Sequence, residues 1–231
     1  MPPARRPRPW LILLLVAGSL AAVAAVVFLV AGAVDDSGTT EDRFAEADPA
    51  DAATVTVPDD FEVARARGVR VSVPPTWVWA ALGGDAGGVG DTLSPGDPTV
   101  ARELDERLST LPRSALLVAF DEDDLDTRGF RTNIVLVRLP SMPDGDGMRT
   151  AVAAEMEALG ADVESVSYLD SSEGRALRVR YSMRQQGVPV SSLQYWYAVG
   201  GDHYTLSFSS DAIEDYVAAV DAMASSFDVT A

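Results

Sequence analysis

The chain contains two uninterrupted apolar runs, LLVAF at residues 116–120 and IVLV at residues 134–137. A strand with one buried face alternates apolar and polar residues, whereas a strand covered on both faces is apolar throughout. The two runs therefore predict central strands of a sheet that has protein packed against either side.

Further strands are predicted on both sides of these runs. Residues 61–65 and 69–73 alternate apolar and polar side chains around Gly68, which is the pattern of a hairpin with one buried face. Four more strands follow late in the chain, at about 163–169, 174–183, 189–199 and 203–209. The turn Gly200-Gly201-Asp202 between the last two predicts an antiparallel hairpin.

Three helices are predicted from their capping residues and apolar stripes. The first begins at the pair Asp97-Pro98 and ends at Pro112, and the second covers about 147–159. The third, at the end of the chain, has Asp211 as its expected N-cap and Glu214 in the capping-box position. The glycine-rich residues 83–90 are expected to form an irregular loop.

A run of 25 uncharged residues, WLILLLVAGSLAAVAAVVFLVAGAV at 10–34, predicts one transmembrane helix. Three arginines precede it and two aspartates follow it, so residues 1–9 are expected in the cytoplasm and everything after Val34 outside. A signal peptide cleaved after Ala33 is the alternative, and it also exports the domain. The run is longer than the apolar region of a typical signal peptide, which favours the retained helix.

Residues 35–60 are acidic and contain few apolar side chains, so we expect a flexible linker, followed by one extracytoplasmic domain over 61–231. After the span, fifteen arginines stand against thirty-five acidic residues, and the chain has no lysine. Such a surface repels nucleic acid at long range. The absence of cysteine excludes disulfides and a lipidated cysteine anchor.

Residues that could carry catalysis or bind a metal are few. His203 is the only histidine, and a hydrolase would have to use it with a serine such as Ser207 or Ser209. No Gly-x-Ser-x-Gly elbow is present. The acidic run 121–126 lacks the spacing and glycine of a calcium loop, and a solvated loop is expected there. We therefore predict no catalytic, cofactor or metal site.

Trp196, Arg178 and Arg180 are the predicted partner-binding residues. Strand alternation places Trp196 opposite its tyrosine neighbours, and it places both arginines opposite the apolar residues of their own strand. If the three share a partly exposed face, they have the composition that is enriched at binding hot spots. The alternative is a tryptophan buried under the terminal helix and arginines paired with acids.

Three segments together resemble the PsbP/Mog1-like superfamily, and most closely its actinobacterial LpqN-type exported proteins. They are VSVPPTW at 71–77, NIVLV at 133–137, and a late meander that runs into a terminal helix ending at Ser226-Phe227. The resemblance covers about 61–229. It implies an α+β protein built as an α/β/α sandwich, with a mainly antiparallel sheet between helices. It also implies binding or scaffolding, without a shared catalytic set.

The expected function is that of a membrane-anchored, extracytoplasmic binding or accessory domain of a bacterial cell envelope, without enzymatic activity. Its expected partners are the membrane, through the N-terminal helix, and an unidentified envelope protein or a lipid-like ligand. A carrier of a lipid-like small molecule is one alternative, and an exported hydrolase using His203 is another.

The predicted topology can be tested with reporter fusions after Ala231. A reporter that is active only outside the cytoplasm should be active there, because the arginines hold the N-terminus inside. A reporter that works only in the cytoplasm should be inactive at the same site, and the reverse pattern would contradict the orientation. A mature protein beginning at Val34 would instead show cleavage after Ala33.

Overall fold

The computed structural model describes residues 43–45, 47–83, 88–123, 132–139, 142–185 and 188–230. A short 3-10 helix at Pro49–Asp51 precedes the regular elements. The strands are β1 Glu62–Ala66, β2 Val69–Val73, β3 Trp77–Ala81, β4 Ala115–Asp121, β5 Asn133–Leu139, β6 Asp162–Ser171, β7 Gly174–Gln185, β8 Val188–Val199, β9 Asp202–Ser210 and β10 Asp228–Val229. The helices are α1 Val89–Leu93, α2 Pro98–Leu108, α3 Asp146–Ala158 and α4 Ile213–Ser225.

Seven strands form one sheet in the order β3-β4-β5-β9-β8-β7-β6, and every neighbouring pair is antiparallel. All seven residues of β4 are buried, and all residues of β5 except Arg138 are buried. The prediction that the two apolar runs form central strands is confirmed. The four late strands and the hairpin between β8 and β9 are also confirmed.

The sheet has a layer on each face, as an α/β/α sandwich requires. On one face, α1, α2 and α3 contribute apolar side chains such as Leu93, Leu104 and Val152 to a first core. On the other face, α4 packs together with a three-stranded sheet, ordered β1-β2-β10, around a second core. The expected mixed fold with a mainly antiparallel sheet is confirmed, and the second small sheet is an addition to it.

The second sheet depends on a strand too short to recognise from sequence. Only Asp228 and Val229 of β10 pair with β2, opposite Arg70 and Val69. The pairing is reinforced where the backbone N–H of Thr230 donates to the carbonyl of Gly68, at 2.8 Å. Residues 228–230 are therefore hydrogen-bonded to the hairpin of β1 and β2, and both cover the same face of the large sheet.

The predicted flexible linker over 35–60 is wrong for the residues of it that the structure describes, 43–45 and 47–60. Phe44 is 2% exposed and belongs to the first core, and Arg149 of α3 donates from Nη2 to its carbonyl oxygen at 2.5 Å. Ala53 forms a parallel bridge to Leu169 at the edge strand β6. The domain therefore begins before Phe61. The composition of the segment does not predict this early start, because one buried aromatic ring and a few backbone hydrogen bonds are enough to hold the segment against the domain.

The predicted transmembrane helix at 10–34 and the cytoplasmic residues 1–9 lie outside the described residues. Among the residues that the structure describes, no helix is both long enough and apolar enough to cross a membrane.

Two local predictions about helix starts differ from the structure. The N-cap of α4 is Ala212 rather than Asp211, and its backbone N–H donates to the hydroxyl of Ser210 at 3.1 Å. The second difference is that α1 begins inside the glycine-rich segment. A carboxylate from α2 makes this possible, since Asp105 accepts hydrogen bonds from the backbone N–H groups of Gly88 and Gly90 at 3.2 and 2.7 Å. A cap supplied by another helix leaves no local sequence signal.

The close approach of α1 to α2 predicts a strong effect of one methyl group. A Cβ at Gly90 would lie 1.9 Å from the carbonyl oxygen of Ala101, whereas a Cβ at Gly83 would meet nothing within 4 Å. Gly90→Ala should therefore lower the free energy of unfolding by about 2 kcal/mol, the usual cost of overpacking. Gly83→Ala is the matched control and should change it by less than about 0.5 kcal/mol. Equal denaturation midpoints for the two variants would contradict the contact.

Candidate ligand site

The predicted shared face of Trp196, Arg178 and Arg180 is wrong. In the antiparallel register of β7 and β8, Trp196 stands opposite Leu177, whereas Arg178 stands opposite Tyr195. Directly opposed residues lie on the same face of a sheet, so Trp196 and the arginines lie on opposite faces. The prediction assumed that the apolar faces of β7 and β8 coincide, and in a sheet covered on both sides they need not.

The three residues have structural environments that differ from the expected exposed patch. Trp196 is 0% exposed and lies in the first core. Arg178 donates from Nε to Asp221 of α4 at 2.8 Å, and the hydroxyl of Tyr195 donates to the same carboxylate at 2.6 Å. Burial, together with the charge of Asp221, raises the pKa of Tyr195, so the phenol stays a donor at neutral pH.

Arg180 also ties the large sheet to α4. Its guanidinium donates to Glu164 of β6 at 2.7 Å and contacts the carboxylate of Glu214 in the first turn of α4. Arg178 and Arg180 therefore hold α4 against the sheet by salt bridges to Asp221 and Glu214 of that helix. The alternative of arginines paired with acids is confirmed for Arg178 and Arg180. Its other half is wrong, because Trp196 is buried in the first core, on the face opposite the terminal helix.

His203 is a buried residue with both ring nitrogens engaged. Its exposed fraction is 2%, and Nδ1 accepts a hydrogen bond from the backbone N–H of Met142 at 3.3 Å. In the neutral ring the proton is then on Nε2, which lies 2.9 Å from Oδ1 of Asp144. Ser207 is four residues along β9, roughly 13 Å away at the rise of a strand. The geometry needed for a serine nucleophile and a histidine base is not formed by this pair.

A different group of side chains meets on the sheet face that α3 covers. Gln194 of β8 stands opposite Ser207 of β9, and Trp196 stands opposite Thr205. All four residues are buried, and Gln194, Trp196 and Thr205 have no exposed surface. Because alternate residues of a strand share a face, two neighbouring rows of polar groups lie side by side in the middle of an otherwise apolar layer.

Glu155 adds a carboxyl group to this layer from the buried side of α3. It is 4% exposed, although a glutamate is almost never fully buried unless it is paired. Burial raises its pKa to about 8. Burial also raises the pKa of Tyr181 on β7, the nearby side chains of Ser192 and Gln194 lower it in part, and the charge of Glu155 raises it further. The carboxyl group therefore lies within electrostatic reach of the sheet face that carries Gln194.

We call Glu155, Gln194, Trp196, Thr205 and Ser207 the polar cluster. Seven of its side-chain atoms are buried without a hydrogen-bond partner among the described residues: both carboxyl oxygens of Glu155, Oε1 and Nε2 of Gln194, Nε1 of Trp196 and the two hydroxyl oxygens. Each unsatisfied buried group costs about 1–3 kcal/mol. Native proteins satisfy nearly all such groups, so the polar cluster has the composition of a site that receives partners from outside the chain.

The hydrogen-bonding capacity of the polar cluster is mixed. Gln194 and Trp196 offer N–H donors, whereas the glutamine carbonyl and the two hydroxyls can accept. Valine residues of β5 and α3, such as Val135, Val137 and Val152, belong to the surrounding core. Within the described part of the chain, no group of three or more histidine or acidic side chains is placed to hold a metal ion.

Sequence reasoning missed the polar cluster, although two signals point to it. Alternate positions of β9 from His203 to Ser209 are polar in a strand whose residues are all buried or nearly so. Glu155 also interrupts the apolar stripe of α3 that contains Val152 and Met156. Both signals depend on knowing that the strand and the helix face each other across a core.

Comparisons with known proteins add the following similarities. No protein-family model matches the sequence, and none of the curated proteins matches it. The solution structure of cyanobacterial PsbP from Synechocystis is similar with a TM-score of 0.44 and 13% identity, covering 86% of this chain and 98% of that one. A crystal structure from Bacteroides thetaiotaomicron is similar with a TM-score of 0.40 and 9% identity, covering 71% of this chain and 46% of that one. A protein of unknown function from Pseudomonas aeruginosa is similar with a TM-score of 0.35 and 10% identity, covering 71% of this chain and 94% of that one.

The buried carboxyl group predicts a specific dependence of stability on pH. The pKa of Glu155 in the folded protein is about 8, above its ordinary value of 4.5. The folded state therefore holds a proton that the unfolded state has lost, and stability falls as the pH rises from about 4.5 to about 8. Glu155→Gln removes this loss and should raise the free energy of unfolding at pH 8 by about 2 kcal/mol or more.

The measurement is a series of melting temperatures between pH 4.5 and 8.5. The gap between Glu155→Gln and the unmodified protein should widen as the pH increases. Glu157→Gln on the same helix, where the side chain is partly exposed, is the control and should leave the pH profile unchanged. A gap that is constant across this range would contradict the buried, unpaired state of Glu155.

Proposed function

We propose that this chain is a single-pass, membrane-anchored domain on the outer side of a bacterial cytoplasmic membrane that binds a small polar molecule and has no enzymatic activity. The observation that carries the proposal is the polar cluster, with its seven unpartnered buried atoms. A molecule that hydrogen-bonds to these atoms stabilises the folded chain, because it removes the cost of leaving them unsatisfied.

The location rests on the N-terminal sequence. Arginines before the apolar run and aspartates after it favour a cytoplasmic N-terminus and an external domain. The strongly acidic domain is suited to remaining soluble next to the membrane. We infer a role in which the domain serves an envelope protein as an accessory module, and kinship with the PsbP/Mog1-like and LpqN-type proteins stays part of this proposal.

The state of His203 supports a binding role over a hydrolase. Both of its ring nitrogens are already used, one by the backbone of Met142 and one by Asp144. A general base needs a free ring nitrogen within hydrogen-bond reach of its nucleophile. A structural task, fixing the segment 142–144 against β9, accounts for these contacts.

The polar cluster also favours a polar ligand over a lipid-like one. An acyl chain placed against Gln194, Thr205 and Glu155 would leave their hydrogen-bonding atoms unsatisfied. The penalty for each group would then persist in the complex. A small molecule with several hydrogen-bonding groups satisfies them instead, and the surrounding apolar core excludes water from those hydrogen bonds.

The proposal predicts a ligand that is retained with the purified protein. The full-length protein, extracted in detergent from its own host, should have a native mass above the polypeptide mass, and the excess should disappear on denaturation. Thr205→Val removes one hydroxyl at nearly constant shape, and Gln194→Met removes the amide, so both should lose the excess mass. Neither should be less stable than the ligand-free protein, since apolar replacement removes unsatisfied groups.

Ser209→Ala is the matched control. Ser209 lies on the same face of β9, but its hydroxyl already pairs with that of Ser192 at 3.0 Å. The control should keep the excess mass. If the unmodified protein has the mass of the polypeptide alone, the polar cluster holds only water and the proposed function is wrong.

A further inference from the structure

The polar cluster contains one ionisable group and no cationic side chain. Glu155 is that group, and burial is the cause of its raised pKa. The remaining members are an amide, an indole and two hydroxyls, which carry no charge. An anion would therefore meet a carboxyl group without a cationic side chain of the polar cluster to balance it, whereas a cation would pair with that carboxyl group.

The acceptors of the polar cluster match a protonated primary amine. An ammonium group has three N–H donors. The carboxyl group of Glu155 can accept one, and the carbonyl of Gln194 and the hydroxyl of Ser207, on directly opposed residues, can accept the others. Charge-assisted hydrogen bonds of this kind are about twice as strong as neutral ones.

The donors of the polar cluster require an acceptor on the same ligand. Nε1 of Trp196 and Nε2 of Gln194 carry hydrogens, and neither has a partner among the described residues. Trp196 stands beside Thr205 in the next row of the sheet face, two residues from Gln194 along β8. Two residues of a strand span roughly 7 Å. The acceptor atom of the ligand should therefore lie a few bonds from its ammonium group.

We propose that the polar cluster binds a small amino alcohol, with its protonated amine against Glu155 and its hydroxyl oxygen accepting from Trp196. The inference rests on the proposed function and names the chemical class of its ligand. Trp196 has no exposed surface and lies in the first core, so a molecule bound against it must be small enough to be enclosed there.

Binding of an ammonium group to Glu155 has a proton stoichiometry. At pH 7 the free carboxyl group is mainly protonated, and pairing with a cation favours the ionised form. One proton is then released for each ligand bound. Among the described residues, the other titratable side chains on this sheet face include Tyr168 on β6, Tyr181 on β7 and His203 on β9, and His203 is held by Asp144. On β5 the facing residues are Val135 and Val137, which do not titrate.

The test uses the full-length protein in detergent, in amine-free and weakly buffered solution at pH 7. Ethanolamine is the probe, and three compounds serve as controls. Ethylene glycol lacks the ammonium group, propylamine lacks the hydroxyl, and sodium chloride tests whether the site binds a metal cation instead. Ethanolamine should bind at least tenfold more tightly than any of the other three, measured by calorimetry after removal of any retained ligand. A pH indicator dye should show the release of close to one proton per site.

Variants separate the two halves of the inference. Glu155→Gln should weaken ethanolamine at least tenfold and abolish proton release, while it leaves ethylene glycol unchanged. Trp196→Phe should reduce the preference for ethanolamine over propylamine, because the indole N–H is lost. Ser209→Ala should change neither affinity. Melting temperatures of all variants establish that they are folded.

The outcomes distinguish failure of this inference from failure of the proposed function. Equal affinity for ethylene glycol and ethanolamine would assign a neutral polyol, and equal affinity for sodium would assign a metal cation. Either result, or no binding of ethanolamine, overturns the amino alcohol. The proposed function is tested separately, by the retained mass in the native protein. A retained molecule that contains no nitrogen would support the ligand site but would overturn the assignment to an amino alcohol.

Discussion

The large sheet is covered by protein on both faces, and the positions of the other elements follow from this. β4 and β5 are buried on both sides, so each strand needs partners above and below the sheet. Three helices supply one layer, and α4 with the three-stranded sheet supplies the other. A sheet with one solvent-exposed face would have left without a surface either the early residues around Phe44, which belong to the first core, or the small sheet that contains β10, which covers the second.

Double coverage also explains what the sequence could and could not predict. The apolar runs at 116–120 and 134–137 predicted central strands correctly, because no exposed face interrupts them. The relation between β7 and β8 could not be predicted in the same way. Both faces of each strand are buried, so the apolar pattern does not say which residue of β7 stands opposite Trp196. The error over Trp196, Arg178 and Arg180 follows from that missing register.

Tertiary contacts account for the other differences. Phe44 is one aromatic residue in an acidic segment, and nothing local shows that a core has room for its ring. Asp105 caps a helix that comes earlier in the chain, so the start of α1 cannot be found from its own residues. The polar cluster joins Glu155 with residues of β8 and β9, and those elements meet only when α3 has packed on the sheet. The apolar pattern of the sequence predicted the layers. The polar cluster depends on how α3 and the large sheet face one another, which the pattern does not show.

If the proposed membrane span is present, the early packing of Phe44 and Ala53 limits how far the domain can move from the bilayer. If residues 35–60 were a free linker, a fully extended chain of 26 residues could reach roughly 90 Å at about 3.5 Å per residue. The described fold instead begins at residue 43, which leaves eight residues after the proposed span, or at most about 28 Å. This maximum length of the connecting segment is comparable to the thickness of the hydrocarbon core of a bilayer. On the proposed topology, the near side of the domain would therefore stay next to the membrane surface, and a partner that binds there would have to lie close to the lipid.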